Sequence, residues 1–200
     1  MPATLRKPRV IGPEHNGRRM SLDDFDRAIS RDGQIFELNK GVIEMTDVPH
    51  HRHFAQLQAA RNQLVIYQDA NPETIHSITG GMESKILVAA TQSERHPDLS
   101  VYLSPPPDVE DVWSLWVPAI VIEIVSPSSA NRDYHEKPDD YLEFGISEYW
   151  IIDAQKQQMT AMIRWRGLWK PKIAKANQKY TTRQLPGFSL NLSKVFAAAK

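Results

Sequence analysis

Glu123 lies inside an apolar run, and this position constrains the fold more than any other in the chain. Residues 119–125 are apolar except for Glu123, rich in β-branched side chains, and bounded by Pro118 and a Ser-Pro-Ser-Ser segment. This pattern is typical of a fully buried strand. An ionised carboxylate there costs several kcal/mol, on the order of a broken buried ion pair, unless cations or donors meet it. The fold must therefore compensate Glu123, by protonation, by a structural partner such as Arg132, or by a bound metal ion.

Asp98 provides the second carboxylate that a metal site would need. It follows His96-Pro97 and stands at the start of another apolar segment, Leu99-Ser100-Val101-Tyr102. Perturbed carboxylates cluster at functional sites. We therefore expect Asp98 and Glu123 to lie on neighbouring strands, with oxygens close enough to share one cation.

Composition excludes several classes of protein. The chain has 200 residues, with 41% hydrophobic and 24% charged, a net charge of zero and no cysteine. These values predict a globular protein without disulfides, thiolate metal sites or strong charge attraction to nucleic acid over its whole surface. No uncharged stretch reaches membrane-spanning length, and the N-terminus lacks the apolar core of a secretory signal. We therefore expect a cytoplasmic protein with no membrane association.

The order of predicted elements indicates one α/β domain. Residues 1–20 are basic and rich in proline, which predicts a flexible basic arm, and residues 21–200 are assigned to a single domain. The predicted elements, in order, are a hairpin over 35–45, a helix over 50–69, strands over 74–78, 82–90, 98–103 and 118–125, a helix over 135–144 closed by Gly145, a strand over 148–153, a hairpin over 158–173 and a short final helix.

Several of these segments together resemble a known family. The segments are Phe36-Glu37-Leu38, residues 41–45, a histidine cluster, Pro97-Asp98, residues 121–128, residues 133–137, Tyr141 and residues 145–153. In this order and spacing they resemble the Uma-type family of bacterial restriction-endonuclease-like proteins, formerly a domain of unknown function, in the PD-(D/E)XK nuclease superfamily. The resemblance covers roughly residues 21–192. It implies a restriction-endonuclease-like α/β fold, with a mixed central sheet flanked by helices, and a metal-dependent DNA endonuclease that uses Mg²⁺ or Mn²⁺.

The resemblance also implies roles for individual residues. Asp98 and Glu123 match the metal ligands of the family, but Val125 stands where the (D/E)XK motif has lysine. Valine cannot place a positive charge near the reacting water. A migrated catalytic lysine is implied at Lys137, with Lys85 as the next candidate.

The third metal ligand and the substrate contacts are less sharply defined. Glu44, acidic among apolar residues, is the implied third carboxylate, although the polar face of a hairpin would look the same. One residue of the histidine cluster is expected to contact substrate, and His51 is narrowly preferred over His50 and His53. Arg132 is a second candidate for substrate contact.

Two other functions remain open. The absence of lysine at 125 and the zero net charge favour a degenerate nuclease fold that binds nucleic acid or protein without cutting. Asp98 and Glu123 could instead act as the acid and base of a metal-independent hydrolase. If the protein cuts both strands of a duplex, we expect a homodimer with two sites on one DNA, and the C-terminal hairpin is a candidate contact surface.

Overall fold

Two β-sheets form the framework of the molecule. The computed structural model describes residues 8–31, 34–46 and 50–198. Its strands are β1 Val10–Ile11, β2 Ile29–Ser30, β3 Ile35–Asn39, β4 Val42–Thr46, β5 Ser77–Thr79, β6 Ile86–Val88, β7 Ser93–Arg95, β8 Leu99–Tyr102, β9 Ile120–Ile124, β10 Glu148–Asp153, β11 Gln158–Trp165, β12 Leu168–Lys175, β13 Lys179–Tyr180 and β14 Leu190–Asn191. The larger sheet has the order β12-β11-β10-β9-β8-β5, and the smaller has the order β4-β3-β7-β6.

The helices cover the larger sheet and one end of the molecule. They are α1 Leu22–Asp26, α2 His51–Ala70, α3 Lys137–Phe144 and α4 Leu192–Ala197, and a π-helical turn, Arg132–Glu136, leads into α3. Gly145 ends α3 with φ of 101°, a left-handed conformation that glycine adopts without steric cost. None of the helices in the described ranges combines the length and apolar character needed to cross a membrane.

The larger sheet is mixed, as the sequence predicts. β9 runs parallel to β10 and antiparallel to β8, while β11 and β12 form an antiparallel hairpin at one edge. Strand periodicity divides β9 between two cores. Ile122 packs on the side that α2 and α4 cover, and Val121 packs on the side of α3. The predicted α/β class with a mixed central sheet, an N-terminal hairpin and a C-terminal hairpin is confirmed.

The N-terminal hairpin supplies the smaller sheet with two of its strands. Lys40 and Gly41 both have positive φ, 49° and 78°, as a tight two-residue hairpin turn requires. β3 then pairs with β4 on one side and β7 on the other. Glu37 and Glu44 stand directly opposite each other in the hairpin register. Because β7 adjoins β3, Glu37 lies nearer the centre of the molecule.

The described part of the predicted flexible arm, residues 8–20, contacts the domain. Residues 1–7 lie outside the described part of the chain, but Val10–Ile11 forms a parallel pair with Ile29–Ser30. Ile11 is only 2% exposed and belongs to a hydrophobic core with Phe25 and Phe36. Burial of this isoleucine therefore fixes residues 8–20 onto the domain.

Two predicted strands are shorter than expected. The segment predicted over 82–90 begins as a 3₁₀ turn, Gly81–Glu83, and only Ile86–Val88 is extended. The strand predicted over 74–78 is Ser77–Thr79. A side chain on Gly80 would lie 2.1 Å from the carbonyl oxygen of Asp98. Glycine therefore permits this turn to approach the backbone of Asp98.

Candidate active site

A cavity of about 400 Å³ lies where the ends of β3, β8 and β9 meet the start of α2 and the π-helical turn. Its walls carry nine charged or imidazole side chains: Glu37, His50, His53, His96, Asp98, Glu123, Arg132, Asp133 and Lys137. The segment Ser126–Ser129 forms one rim. This cavity brings together most of the residues that the sequence singles out.

Glu123 is buried in β9 and is compensated by two donors. Its side chain is 4% exposed, Tyr141 donates a hydrogen bond of 2.6 Å to Oε1, and Lys137 Nζ lies 2.9 Å from the same oxygen. Burial raises the pKa of Glu123 to about 8, although the Lys137 ammonium opposes this effect; Asp98 and Asp133 raise the pKa further. The compensating partner that the sequence requires is therefore a lysine and a tyrosine from α3.

Lys137, predicted as the migrated lysine, lies in the cavity beside Glu123. It is the first residue of α3, and its Nζ lies 3.0 Å from Asp133 Oδ1 as well as 2.9 Å from Glu123. Burial alone lowers the pKa of Lys137, but Glu123 and Asp133 outweigh burial and raise the pKa, so the ammonium stays charged. The π-helical turn before it widens the helix entrance, a feature that recurs at functional sites. Lys85 lies elsewhere, where it pairs with Asp26.

Asp98 lies next to Glu123 across the β8–β9 pairing. Leu99 pairs with Ile122, so the antiparallel register places Asp98 beside Glu123. The backbone N–H of Ile124 donates to Asp98 Oδ2 at 2.7 Å, and His53 Nε2 lies 2.9 Å from the same oxygen. Burial lowers the pKa of His53, but the hydrogen bond and charge of Asp98 raise it overall. Two donors therefore fix the orientation of the Asp98 carboxylate.

The structure places His53 and His50 at the cavity, rather than the preferred His51. His53 contacts Asp98, and His50, the N-cap residue of α2, lines the cavity. His51 is exposed and does not line it. Arg132, the second residue predicted to contact substrate, also lines the cavity, with its guanidinium 3.8 Å from Glu44.

Glu44, the predicted third metal ligand, does not line the cavity. Its carboxylate accepts a hydrogen bond of 2.8 Å from Asn39 and pairs with Arg132. Glu37, opposite Glu44 in the hairpin, lines the cavity instead. Both glutamates stand among apolar residues in the sequence. The pairing of β3 with β7 makes their positions different, and this contact cannot be predicted from the local sequence.

Sequence reasoning also missed a buried network around Arg95. The Arg95 side chain is fully buried, and it lies 2.8 Å from Asp140 and 3.4 Å from Glu37. Glu37 also accepts a hydrogen bond of 3.1 Å from the backbone of His96. Burial raises the pKa of Glu37, but Lys137 and Arg95 outweigh burial and lower it. The network connects the smaller sheet to α3. The short Ser-Glu-Arg strand has no apolar pattern from which the burial of Arg95 could be predicted.

The carboxylates of Asp98 and Glu123 fit a cation site of the two-ligand type. In the described part of the chain, hydrogen bonds and ion pairs engage only Oδ2 of Asp98 and Oε1 of Glu123, which leaves one oxygen of each for a ligand. Mg²⁺ is commonly held by one or two carboxylates, with water and substrate phosphates completing its shell. Across residues 8–31, 34–46 and 50–198, no three histidine, cysteine or acidic side chains form a metal-binding group. The residues therefore fit a cation shared with substrate better than an all-protein cage.

Comparison with known proteins identifies the class of fold and then the family. A crystal structure titled as a "putative nuclease belonging to DUF820" from Anabaena variabilis ATCC 29413 matches with a TM-score of 0.74 and 17% identity, over 90% of this chain and 99% of the other. The chain thus has the fold of that nuclease-type protein. The sequence model of the Uma2 family, described as "Putative restriction endonuclease", matches residues 22–193, and the chain belongs to this family. The resemblance seen in the sequence is confirmed; no curated protein matches the chain.

Proposed function

We propose that the protein is a metal-dependent endodeoxyribonuclease that hydrolyses phosphodiester bonds in DNA. The observation that carries this proposal is the position of Lys137, whose ammonium lies 2.9 Å from Glu123 beside Asp98. Metal-dependent hydrolysis of a phosphodiester requires two acids that can hold the metal ion and a positive charge beside them. The acids on adjacent strands and the buried lysine provide these groups. Membership of the Uma2 family supports the same activity.

Asp98 and Glu123 are the residues that would hold Mg²⁺ or Mn²⁺. When bound, such an ion polarises the phosphoryl oxygen and lowers the pKa of its water. The described residues prepare the carboxylates for that role. His53 and the Ile124 N–H orient Asp98, and Tyr141 anchors Glu123. Groups that orient metal-binding side chains in this way raise affinity and activity.

Lys137 supplies compact positive charge where negative charge develops on the phosphate. Its ammonium is buried between Glu123 and Asp133, so little reorganisation is needed when substrate enters. Arg132 offers a guanidinium to a neighbouring phosphate, and the rim offers the hydroxyls of Ser126 and Ser128. The cavity therefore has distinct groups for the reacting phosphate and for the strand that carries it.

One observation favours the alternative of a binding module that does not cut. Lys137 is already paired with both Glu123 and Asp133, an arrangement that also serves as structural compensation of buried charge. The raised pKa of Glu123, about 8, favours the other alternative, an acid/base hydrolase that needs no metal. Metal dependence of cutting distinguishes the nuclease from the metal-independent hydrolase. DNA binding without cutting identifies the binding module.

We further propose a cytoplasmic homodimer. The net charge of zero limits how many phosphates one chain can neutralise, which favours two chains on one duplex. β12 lies at the edge of the larger sheet, and its hairpin with β11 exposes Trp165, Leu168 and Ile173. This surface supports the predicted contact through the C-terminal hairpin.

Plasmid cleavage tests the proposed activity. The protein is incubated with supercoiled plasmid and Mg²⁺, Mn²⁺ or EDTA, and Glu123→Gln is compared with the surface variant Glu73→Gln. The proposal requires cutting with a divalent ion, none with EDTA, and loss of cutting only in Glu123→Gln. Cutting in EDTA would support the metal-independent hydrolase. DNA binding by a wild-type protein that never cuts would support the binding module.

A further inference from the structure

A second cavity adjoins the proposed active site. It has a volume of about 270 Å³ and lies between the smaller sheet, α1 and the 3₁₀ turn Gly81–Glu83. Three aromatic side chains, Phe25, Phe36 and Trp113, contribute apolar wall. Its polar lining comprises Ser30, Ser84, Glu94 and His96 and the charged side chains of Asp26, Glu83 and Lys85, of which Lys85 pairs with Asp26. The cavity therefore combines aromatic surface with hydrogen-bonding groups, as sites for small planar ligands do.

The segment that leads from β7 to β8 connects the two cavities. Glu94 and His96 line the second cavity, and His96 and Asp98 line the first. Four residues span at most about 13 Å when fully extended, so Glu94 and Asp98 lie no further apart than that. A nucleotide strand whose phosphate lies at Asp98 can therefore direct a nearby base towards Glu94.

Two buried polar atoms in the second cavity have unfilled hydrogen-bonding capacity in the described part of the chain. They are Glu94 Oε2, which has no partner, and Ser84 Oγ, which has only the Tyr102 hydroxyl near it, on residues that are 5% and 3% exposed. The other carboxylate oxygen of Glu94 is engaged, 3.1 Å from His96 Nε2. Buried polar atoms in folded proteins are nearly always paired, because each unpaired one costs about 1–3 kcal/mol. A ligand with a donor for Glu94 and an acceptor for Ser84 would satisfy both atoms.

We propose that the second cavity binds an unpaired nucleobase that carries an exocyclic amino group, from the strand whose phosphodiester lies in the first cavity. This inference rests on the proposed nuclease function. It adds a preference for an unpaired strand and for bases that carry an amino group. The amino group of adenine, cytosine or guanine donates to Glu94 Oε2. The Ser84 hydroxyl donates to the adjacent ring nitrogen or carbonyl, and the aromatic walls contact the face of the base.

Thymine is the base that this arrangement disfavours. It presents a single N–H between two carbonyl oxygens, and carbonyl oxygens next to a carboxylate are repelled. A base inside a duplex cannot enter, because its amino edge is already paired. The substrate is therefore a single strand, or a duplex from which one base is turned out of the stack.

Binding of deoxynucleotides in EDTA tests the cavity without requiring metal or cutting. The four deoxynucleoside monophosphates and deoxyribose 5-phosphate are titrated into the full-length protein, and the indole N–H resonance of Trp113, identified with Trp113→Phe, reports occupancy. We expect dAMP, dCMP and dGMP to bind at least about tenfold more tightly than dTMP or the base-free sugar phosphate. Glu94→Gln and Ser84→Ala should each reduce that preference by about tenfold, and Glu73→Gln should leave it unchanged.

The outcomes separate this inference from the proposed function. Equal binding of all five ligands, or a base preference that survives both substitutions, overturns the assignment of the cavity. If Glu94→Gln fails to fold, as judged by thermal unfolding, Ser84→Ala decides the question, since it removes one hydroxyl without changing charge. A protein that cuts plasmid but shows no base preference refutes the cavity proposal alone. One that prefers amino-bearing bases but cuts neither plasmid nor single-stranded DNA with Mg²⁺ or Mn²⁺ supports the cavity and refutes the endonuclease.

Discussion

Replacement of Lys137 by methionine tests the electrostatics of the candidate site most sharply. Methionine preserves much of the side-chain length but removes the charge that lies 2.9 Å from Glu123 and 3.0 Å from Asp133. Removal of one partner from a buried ion pair costs about 3–5 kcal/mol, because the other charge is left unpaired. We expect the free energy of unfolding to fall by that amount at about pH 9. A domain of ordinary stability, about 5–15 kcal/mol, would still fold.

The same variant should lose less stability at lower pH. Burial already raises the pKa of Glu123 to about 8, and loss of the ammonium raises it further. A carboxyl with a raised folded-state pKa destabilises the protein increasingly as pH rises above the unfolded value, about 4.3. At about pH 6 Glu123 takes up a proton, so the cost shrinks. The double variant Lys137→Met/Glu123→Gln should therefore recover part of the stability at about pH 9.

Urea denaturation and plasmid cleavage measure these effects, with Lys40→Met as the matched control. Lys40 also pairs with an acid near α3, Asp139 at 3.8 Å, but both side chains are exposed, so its loss should cost about 0–1 kcal/mol. Lys137→Met should reduce cleavage by about 10²–10³-fold while sparing metal affinity. Wild-type cleavage by Lys137→Met would show that the catalytic lysine is wrongly assigned. Stability equal to that of Lys40→Met would refute the ion-pair reasoning.

Three further results are expected. His53→Ala should reduce cleavage or metal affinity by about 10–100-fold, because Asp98 loses an orienting partner; an unchanged enzyme in both assays would remove His53 from the site. The lowered pKa of Glu37 means that this carboxylate stabilises the fold above its unfolded pKa, and the stabilisation is lost as pH falls through the folded pKa. Glu37→Gln should therefore flatten the acid side of the curve of unfolding free energy against pH, measured by urea denaturation. An unaltered curve would contradict this. Sedimentation at micromolar concentration should show a dimer that Trp165→Glu weakens, and a strict wild-type monomer would refute the dimer.

Local patterns were sufficient to predict the strand that carries Glu123. A β-branched run with one acid indicates a buried strand, and the period of two places Glu123 and Val125 on one face. The same reasoning predicted that a partner must meet Glu123, since an isolated buried charge is too costly. Gly145 likewise indicated the end of α3 because only a left-handed residue closes a helix in this way.

Features that depend on contacts distant in sequence could not be predicted. Glu37 and Glu44 look alike in the sequence, and only the pairing of β3 with β7 brings Glu37 to the cavity. Arg95 pairs with Asp140 across 45 positions, and its strand has no apolar neighbours that mark it as buried. Val10 and Ile11 form a short apolar pair in a basic segment, so the burial of Ile11 against Phe25 and Phe36 leaves no periodic signal.

The most direct test of the central claim is the position of a bound Mn²⁺ ion. A crystal soaked in Mn²⁺ and measured for anomalous scattering should show one ion between Asp98 and Glu123, within about 2.0–2.3 Å of one oxygen of each carboxylate. The account predicts that Lys137 remains beside this ion and that Glu44 stays with Asn39 and Arg132. An ion bound at Glu44, or carboxylates of Asp98 and Glu123 more than about 8 Å apart, would contradict it.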